Sequence, residues 1–222
     1  MPGKGRDVVS ASMTQCVLIS LIALTISLPC VAANTQPSGG PVILIMGDSL
    51  SAGYGIETSK DWASLLEQRL VSENFPYRVV NASISGETTN GGLSRLAQAL
   101  ATHRPQIVII ELGANDGLRG LPLYLMRNNL EKMIELCQQA NTRVLLLGMR
   151  LPPNYGPRYT HDFNQVFVEL AKEYDTGLVP FLLAGVATQP ELMQSDGLHP
   201  TDAAQPQLLD TIWPQLLPLL KS

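Results

Sequence analysis

The sequence predicts an α/β domain: a three-layer α/β/α sandwich around a five-stranded parallel sheet. Two patterns carry that expectation. Short apolar runs that do not alternate with polar residues are interleaved with longer stretches of helical periodicity. Continuous apolar strands are those buried on both faces, as in a parallel sheet. The chain has 222 residues and is 45% hydrophobic, which suffices for one compact domain with its own core.

The elements follow in order. Residues 1–33 read as a secretory signal: Lys4 and Arg6 precede an apolar stretch from Cys16 to Leu28, and Val31, Ala32 and Ala33 offer small residues for cleavage near Ala33. The stretch is too short to span a bilayer comfortably. Other readings are a buried N-terminal helix, a start at Met13 that leaves almost no basic region, and lipid attachment at Cys30, against which Pro29 stands where a small residue is wanted. Residues 34–41 form a polar connector and residues 42–222 the domain proper.

Strands are expected at Val42–Met46, Tyr77–Asn81, Gln106–Glu111, Arg143–Met149 and Leu178–Phe181. Between them, Trp62, Leu65, Leu66 and Leu70 repeat at helical spacing behind Ser59, an expected N-cap. Leu93, Leu96, Ala97 and Leu100 form a second stripe. Pro122 can open a third helix at its first position, with Leu123, Met126, Leu130, Met133 and Ile134 on one face. Thr160 can cap a fourth, which carries Phe163, Val166, Phe167, Leu170 and Tyr174. The end of the chain, from Thr201, looks helical, but Pro214 is expected to kink or divide it.

Composition narrows the function. A formal net charge of −4 without any block of Lys and Arg argues against nucleic acid as a partner. Cys16 and Cys30 fall in the leader, so the mature chain keeps one cysteine, Cys137, on an apolar helical stripe where a thiol behaves as a buried hydrophobe.

The unusual polar residues fall where strands end. Gly47-Asp48-Ser49 follows the first strand, Ser85-Gly86-Glu87 lies just beyond the second, Gly113-Ala114-Asn115-Asp116 follows the third, and Asp196-Gly197-Leu198-His199-Pro200 follows the last. In doubly wound sheets the carboxyl ends of the strands flank the ligand crevice, so all four can converge. Acyl transfer needs a nucleophile, a base, a group that orients the base and donors for an oxyanion. Ser49, His199 and Asp196 can fill the first three roles. The backbone N–H groups of Gly86 and Ser49 and the side-chain amide of Asn115 can supply the donors. Each residue also has a plainer reading: Ser49 as a helix cap, Gly86 as a turn, Asn115 in an Asx-turn and His199 as an exposed loop residue. His103 and His161 lack a comparable setting.

Taken together, the four segments resemble the SGNH (GDSL) family of hydrolases, whose four blocks appear here in order. Leu112 to Gly120 and Met149 to Gly156 are similar to the exported bacterial group of that family with thioesterase, lysophospholipase and arylesterase activities. The resemblance spans Pro41 to about Leu220. It implies a triad of Ser49, Asp196 and His199, an oxyanion hole from Ser49, Gly86 and Asn115, the flavodoxin-like sandwich, no metal or other cofactor, and a small acyl ester, thioester or lysophospholipid as substrate. Two positions depart from the common pattern: Ala114 stands for a glycine and Glu87 for an aspartate. Export places such an enzyme in the periplasm or outside the cell, with no membrane span after cleavage and a monomer as the default state.

Two other functions fit parts of the sequence. Asp48, Asn115, Asp116, Asp196 and His199 could ligate a metal in a phosphoesterase, although paired-histidine and DxH spacings are missing. An exported binding domain without activity could use the same sandwich. An α/β-hydrolase elbow is disfavoured because Ser51 stands where its second glycine belongs.

Overall fold

The computed structural model describes residues 39–221; the expected signal at 1–33 and most of the 34–41 connector lie outside the described residues. Five strands form one sheet in the order β2-β1-β3-β4-β5, every neighbouring pair parallel. They are β1 (Val42–Gly47), β2 (Arg78–Asn81), β3 (Ile107–Glu111), β4 (Arg143–Leu147) and β5 (Gly177–Val179). β1 and β3 are buried along their whole length, as their continuous apolar runs require. The edge strand β2 is partly exposed, and its Arg78 and Asn81 face solvent. The last two strands end two residues before the expected Met149 and Phe181, since the chain turns away there to build the site.

Among the described residues seven α-helices accompany the strands, the last of them after β5: α1 (Ser49–Ala52), α2 (Trp62–Ser72), α3 (Thr89–His103), α4 (Ala114–Leu118), α5 (Leu123–Gln139), α6 (Pro157–Glu173) and α7 (Gln205–Lys221). α2 packs on α7, while α3 packs on α5 and α5 on α6, which gives the two helical layers of the sandwich. Trp62, Leu66 and Leu70 of α2, Leu96 and Leu100 of α3, and Phe163, Phe167 and Leu170 of α6 are all buried in one continuous core. Ala97, by contrast, is exposed, and α3 instead presents Gly92 inward one turn before Leu96.

The helix ends differ from expectation in instructive ways. Asp61, not Ser59, caps α2: its Oδ1 accepts from the Ser64 N–H at 3.0 Å, whereas Ser59 sits at φ 75° in the turn before it. Pro122 is the residue just outside α5 rather than its first position. α6 opens at Pro157, so Thr160 lies inside the first turn, and its hydroxyl bonds back to the Gly156 carbonyl at 3.0 Å. Pro214 does not divide α7, which runs unbroken from Gln205 to Lys221. Pro214 and Pro218 are one turn apart on the exposed face, so the carbonyls they leave free lie on the solvent side, where water can bond to them.

Candidate active site

β1 connects to β2 on one side of the sheet and pairs with β3 on the other, so the strand order reverses between β1 and β3. Loops leaving two such strands diverge and open a crevice at their carboxyl ends. Ser49 opens α1 directly after β1, and Asn115 lies in α4 directly after β3. The expected residues of the other two segments, Gly86 and His199, line the same crevice.

The structure brings the three candidate triad side chains together. Ser49 Oγ is 2.8 Å from His199 Nε2, and His199 Nδ1 is 2.7 Å from Asp196 Oδ2. With Nδ1–H donating to the carboxylate, Nε2 is left as the acceptor of the serine proton. The loop that carries the pair is well tied. Met193 and Pro200 form an antiparallel bridge, Gln194 N–H donates to the His199 carbonyl at 2.7 Å, and the Tyr54 ring centre lies 4.6 Å from that of the imidazole. Gln194 Nε2 donates to the carbonyls of Tyr54 and Pro200, both at 2.9 Å, and so links the α1 side of the crevice to the histidine loop. Asp196 Oδ1 accepts the backbone N–H groups of Leu198 (2.9 Å) and His199 (3.0 Å). These two amides, with the imidazole third, hold the Asp196 carboxyl down at about 2.

The expected donors also converge, each in its own way. Among the described residues, the N–H groups of Ser49 and Gly86 have no protein acceptor. Gly86 adopts φ 79°, which favours glycine, while its carbonyl accepts from Arg119 Nη2 at 2.8 Å. A Cβ at this position would meet only Arg119, at 3.7 Å, so backbone conformation rather than crowding within the protein calls for glycine here. Asn115 Nδ2 already makes two bonds, to Asp48 Oδ2 at 2.9 Å and to the Glu87 carbonyl at 3.1 Å. Glu87 itself is fixed by an ion pair with Arg95.

Two buried acids lie beneath Ser49, and only one of them stands out as a candidate in the sequence. Asp48 Oδ1 accepts the Leu50 N–H at 3.1 Å, and the Asp48 N–H donates to Glu111 Oε2 at 3.2 Å. Ser51 Oγ donates to the same Glu111 oxygen at 2.8 Å. Burial raises the carboxyl groups of both Asp48 and Glu111 above the usual range, Glu111 further because the Asp48 charge adds to it. The sequence does carry a signal for Glu111, a charged residue closing a wholly apolar strand.

The remaining candidates are engaged elsewhere. Asp116 is buried and accepts the Thr89 N–H at 2.8 Å and the Thr89 hydroxyl at 2.6 Å, which anchors the start of α3. No three His, Cys, Asp or Glu side chains among the described residues are arranged to hold a metal ion. Cys137 is buried, and burial pushes its thiol up to about 12. His103 sits in the last turn of α3, at the opposite end of the sheet from the crevice, and His161 lies on α6.

The crevice opens into a cleft of about 640 Å³ whose walls are mostly apolar, with Leu50, Leu118, Met149, Leu151, Phe181 and Leu183 among them. Arg150 stands in the same wall with its guanidinium 5.1 Å from the centre of the Phe181 ring. An apolar cleft beside a serine–histidine–aspartate chain and unpaired N–H donors can bind an acyl chain and attack its carbonyl.

The profile of the GDSL-like lipase/acylhydrolase family matches residues 45–205. Esterase TesA of Pseudomonas aeruginosa is 50% identical over 186 residues, 84% of this chain and 92% of that protein. Thioesterase 1/protease 1/lysophospholipase L1 of Escherichia coli is 44% identical over 185 residues, 83% of this chain and 88% of that one. The crystal structure of the psychrotrophic esterase EstA from Pseudoalteromonas sp., inhibited by monoethylphosphonate, superposes with a TM-score of 0.78 at 40% identity, covering 82% of this chain and 99% of the other.

Proposed function

The chain belongs to the GDSL-like lipase/acylhydrolase family and is an ester hydrolase, and from that premise we propose that Ser49 is its nucleophile, His199 its general base and Asp196 the carboxylate that orients the base. The observation that carries the proposal is the unbroken chain from Asp196 through His199 to Ser49, at 2.7 and 2.8 Å, opening on an apolar cleft. Ser49 Oγ attacks the acyl carbonyl as its proton passes to His199 Nε2. The imidazolium then returns that proton to the leaving alkoxide or thiolate, and the acyl group stays on Ser49. Water, deprotonated by the same nitrogen, releases the acid and restores the serine. The N–H groups of Ser49 and Gly86 and one hydrogen of Asn115 Nδ2 receive the oxyanion, with the Asn115 bond to the Glu87 carbonyl given up in exchange.

The substrates are acyl esters and thioesters, lysophospholipids among them. Apolar walls suit the acyl chain, and Arg150, which has no acidic partner among the described residues, suits a phosphate-bearing leaving group such as a lysophospholipid head or a coenzyme thiol. The chemistry needs no cofactor. A mature monomer acts outside the cytoplasm after removal of residues 1–33, with residues 34–41 as a connector; no described helix is long and apolar enough to cross a membrane.

The test is hydrolysis of p-nitrophenyl esters of graded acyl length by the purified protein and its Ser49→Ala variant, with a chelator present. We expect activity that survives the chelator and falls to background in the variant. Equal activity in the variant overturns the assignment of Ser49, and activity lost to the chelator and restored by a divalent cation overturns the metal-free mechanism.

A further inference from the structure

The buried acids beneath the nucleophile pose a charge problem. Asp48 is 1% exposed and Glu111 fully buried, and no arginine or lysine among the described residues pairs with either. Two adjacent carboxylates cannot both stay ionised without water or a cation. The bonds around them show which gives way. Asp48 receives donors on both oxygens, from the Leu50 N–H and from Asn115 Nδ2, as a carboxylate should. Glu111 receives the Asp48 N–H and the Ser51 hydroxyl on Oε2 alone, and its buried Oε1 has no donor at all. An acceptor without a donor is costly in the core, whereas a protonated Glu111 can donate to the carboxylate of Asp48, the residue whose own N–H lies 3.2 Å from Glu111 Oε2.

We infer that Glu111 is a positioning residue of the oxyanion site: it stays a neutral acid, donates to the Asp48 carboxylate, and through Asp48 fixes the Asn115 amide. A single negative charge is then shared by the pair and aimed at Asn115. With one N–H of Asn115 held by Asp48, the amide plane is set, and the other N–H, now on the Glu87 carbonyl, is the one left for the oxyanion. Glu111 also holds the Asp48 N–H, one residue before Ser49, and the Ser51 hydroxyl, two residues after it, so one side chain braces the nucleophile's turn and its oxyanion donor together. Burial raises the Glu111 carboxyl well above the ordinary range, in keeping with a proton kept at neutral pH.

The inference rests on Asn115 being an oxyanion donor, and the experiment separates the two. Asn115→Ala should lower kcat on the order of 100- to 1000-fold; a loss under about threefold removes Asn115 from the site and overturns both readings. Given that loss, Glu111→Leu should lower kcat about 10- to 100-fold with KM within about threefold, Glu111→Gln should restore kcat to within about threefold of the parent, and Glu111→Leu should add little in the Asn115→Ala background. Full activity in Glu111→Leu, failure of Gln to rescue, or losses that multiply in the double variant each overturn the inference while leaving Asn115 in place. Should Glu111→Leu not fold, difference infrared spectra of the parent against Glu111→Gln decide. A protonated-carboxyl stretch at neutral pH that disappears in the Gln variant supports the inference, and its absence overturns it.

Discussion

Asp196 is an exposed carboxylate with an unusually low proton affinity, and the reason lies in the two backbone N–H groups that converge on Oδ1. The folded value near 2 lies below the ordinary 3.8, so the folded protein releases this proton more readily than the unfolded chain. The resulting stabilisation is therefore present above the ordinary value and is lost as pH falls toward 2. Asp196 thus remains charged through the whole range in which an esterase is assayed, and its titration cannot shape the acid limb of the rate. Asp196→Asn should then lower kcat across the profile by about 1000- to 10,000-fold, because the amide stabilises the wrong imidazole tautomer. The pH dependence of kcat/KM checks this: a variant with an unchanged plateau and a displaced acid limb would place the carboxylate outside the proton path.

At the scale of elements, the turn from β1 into α1 decides where Ser49 stands. A Cβ on Gly47 would lie 2.7 Å from Ser51 Oγ and 2.8 Å from Glu111 Oε2. Both are atoms of the brace beneath Ser49, so neither can retreat without breaking a bond. Gly47→Ala should cost about 1–3 kcal/mol of stability, which for a domain of this size lowers Tm by roughly 2–12 °C, and should reduce kcat more than KM as the turn shifts. A thermal melt at parental Tm with parental kcat would show that the turn yields freely. The same turn marks how far the sequence could be read. β1 and β3 were legible because an apolar run buried on both faces has no polar position to obscure it, and the convergence of the candidates Ser49, His199, Asp196, Gly86 and Asn115 on one crevice was legible because each lies at a strand's carboxyl side or in a loop that can reach it. The contact of Glu111 with Asp48 was not, since the two lie 63 residues apart and only the β1·β3 register, with Gly47 opposite Glu111, brings them together. The caps of α2 and α6 were misplaced for a related reason: Ser59 and Thr160 have capping side chains, but the turn geometry that selects Asp61 and Gly156 is set by tertiary packing. Pro214 signals a break only if its helix lacks a solvent face, and that face appears only once α7 is packed.

For the whole molecule, the sandwich places Ser49, Asn115 and His199 together at the switch point, beside the walls of the cleft. Those walls come from different parts of the chain: Leu50 after β1, Leu118 from α4, Met149 and Leu151 after β4, and Phe181 and Leu183 after β5. No local stretch of sequence encodes their joint shape, so the preferred acyl length follows from the volume they enclose. While each added methylene is buried against these side chains it should gain about 0.8 kcal/mol in the transition state, or roughly a fourfold rise in kcat/KM per carbon. The rise should end where the cleft of about 640 Å³ is full. Ala187 lies on the same wall, and Ala187→Trp should bring the plateau to shorter chains while leaving the rate on acetyl esters within about threefold, because the reacting groups are untouched. The measurement is kcat/KM for p-nitrophenyl esters from acetate to palmitate in parent and variant. A parental series that is flat with chain length would mean that the acyl group lies outside the cleft. A variant whose plateau does not move would place the far end of the chain against another wall.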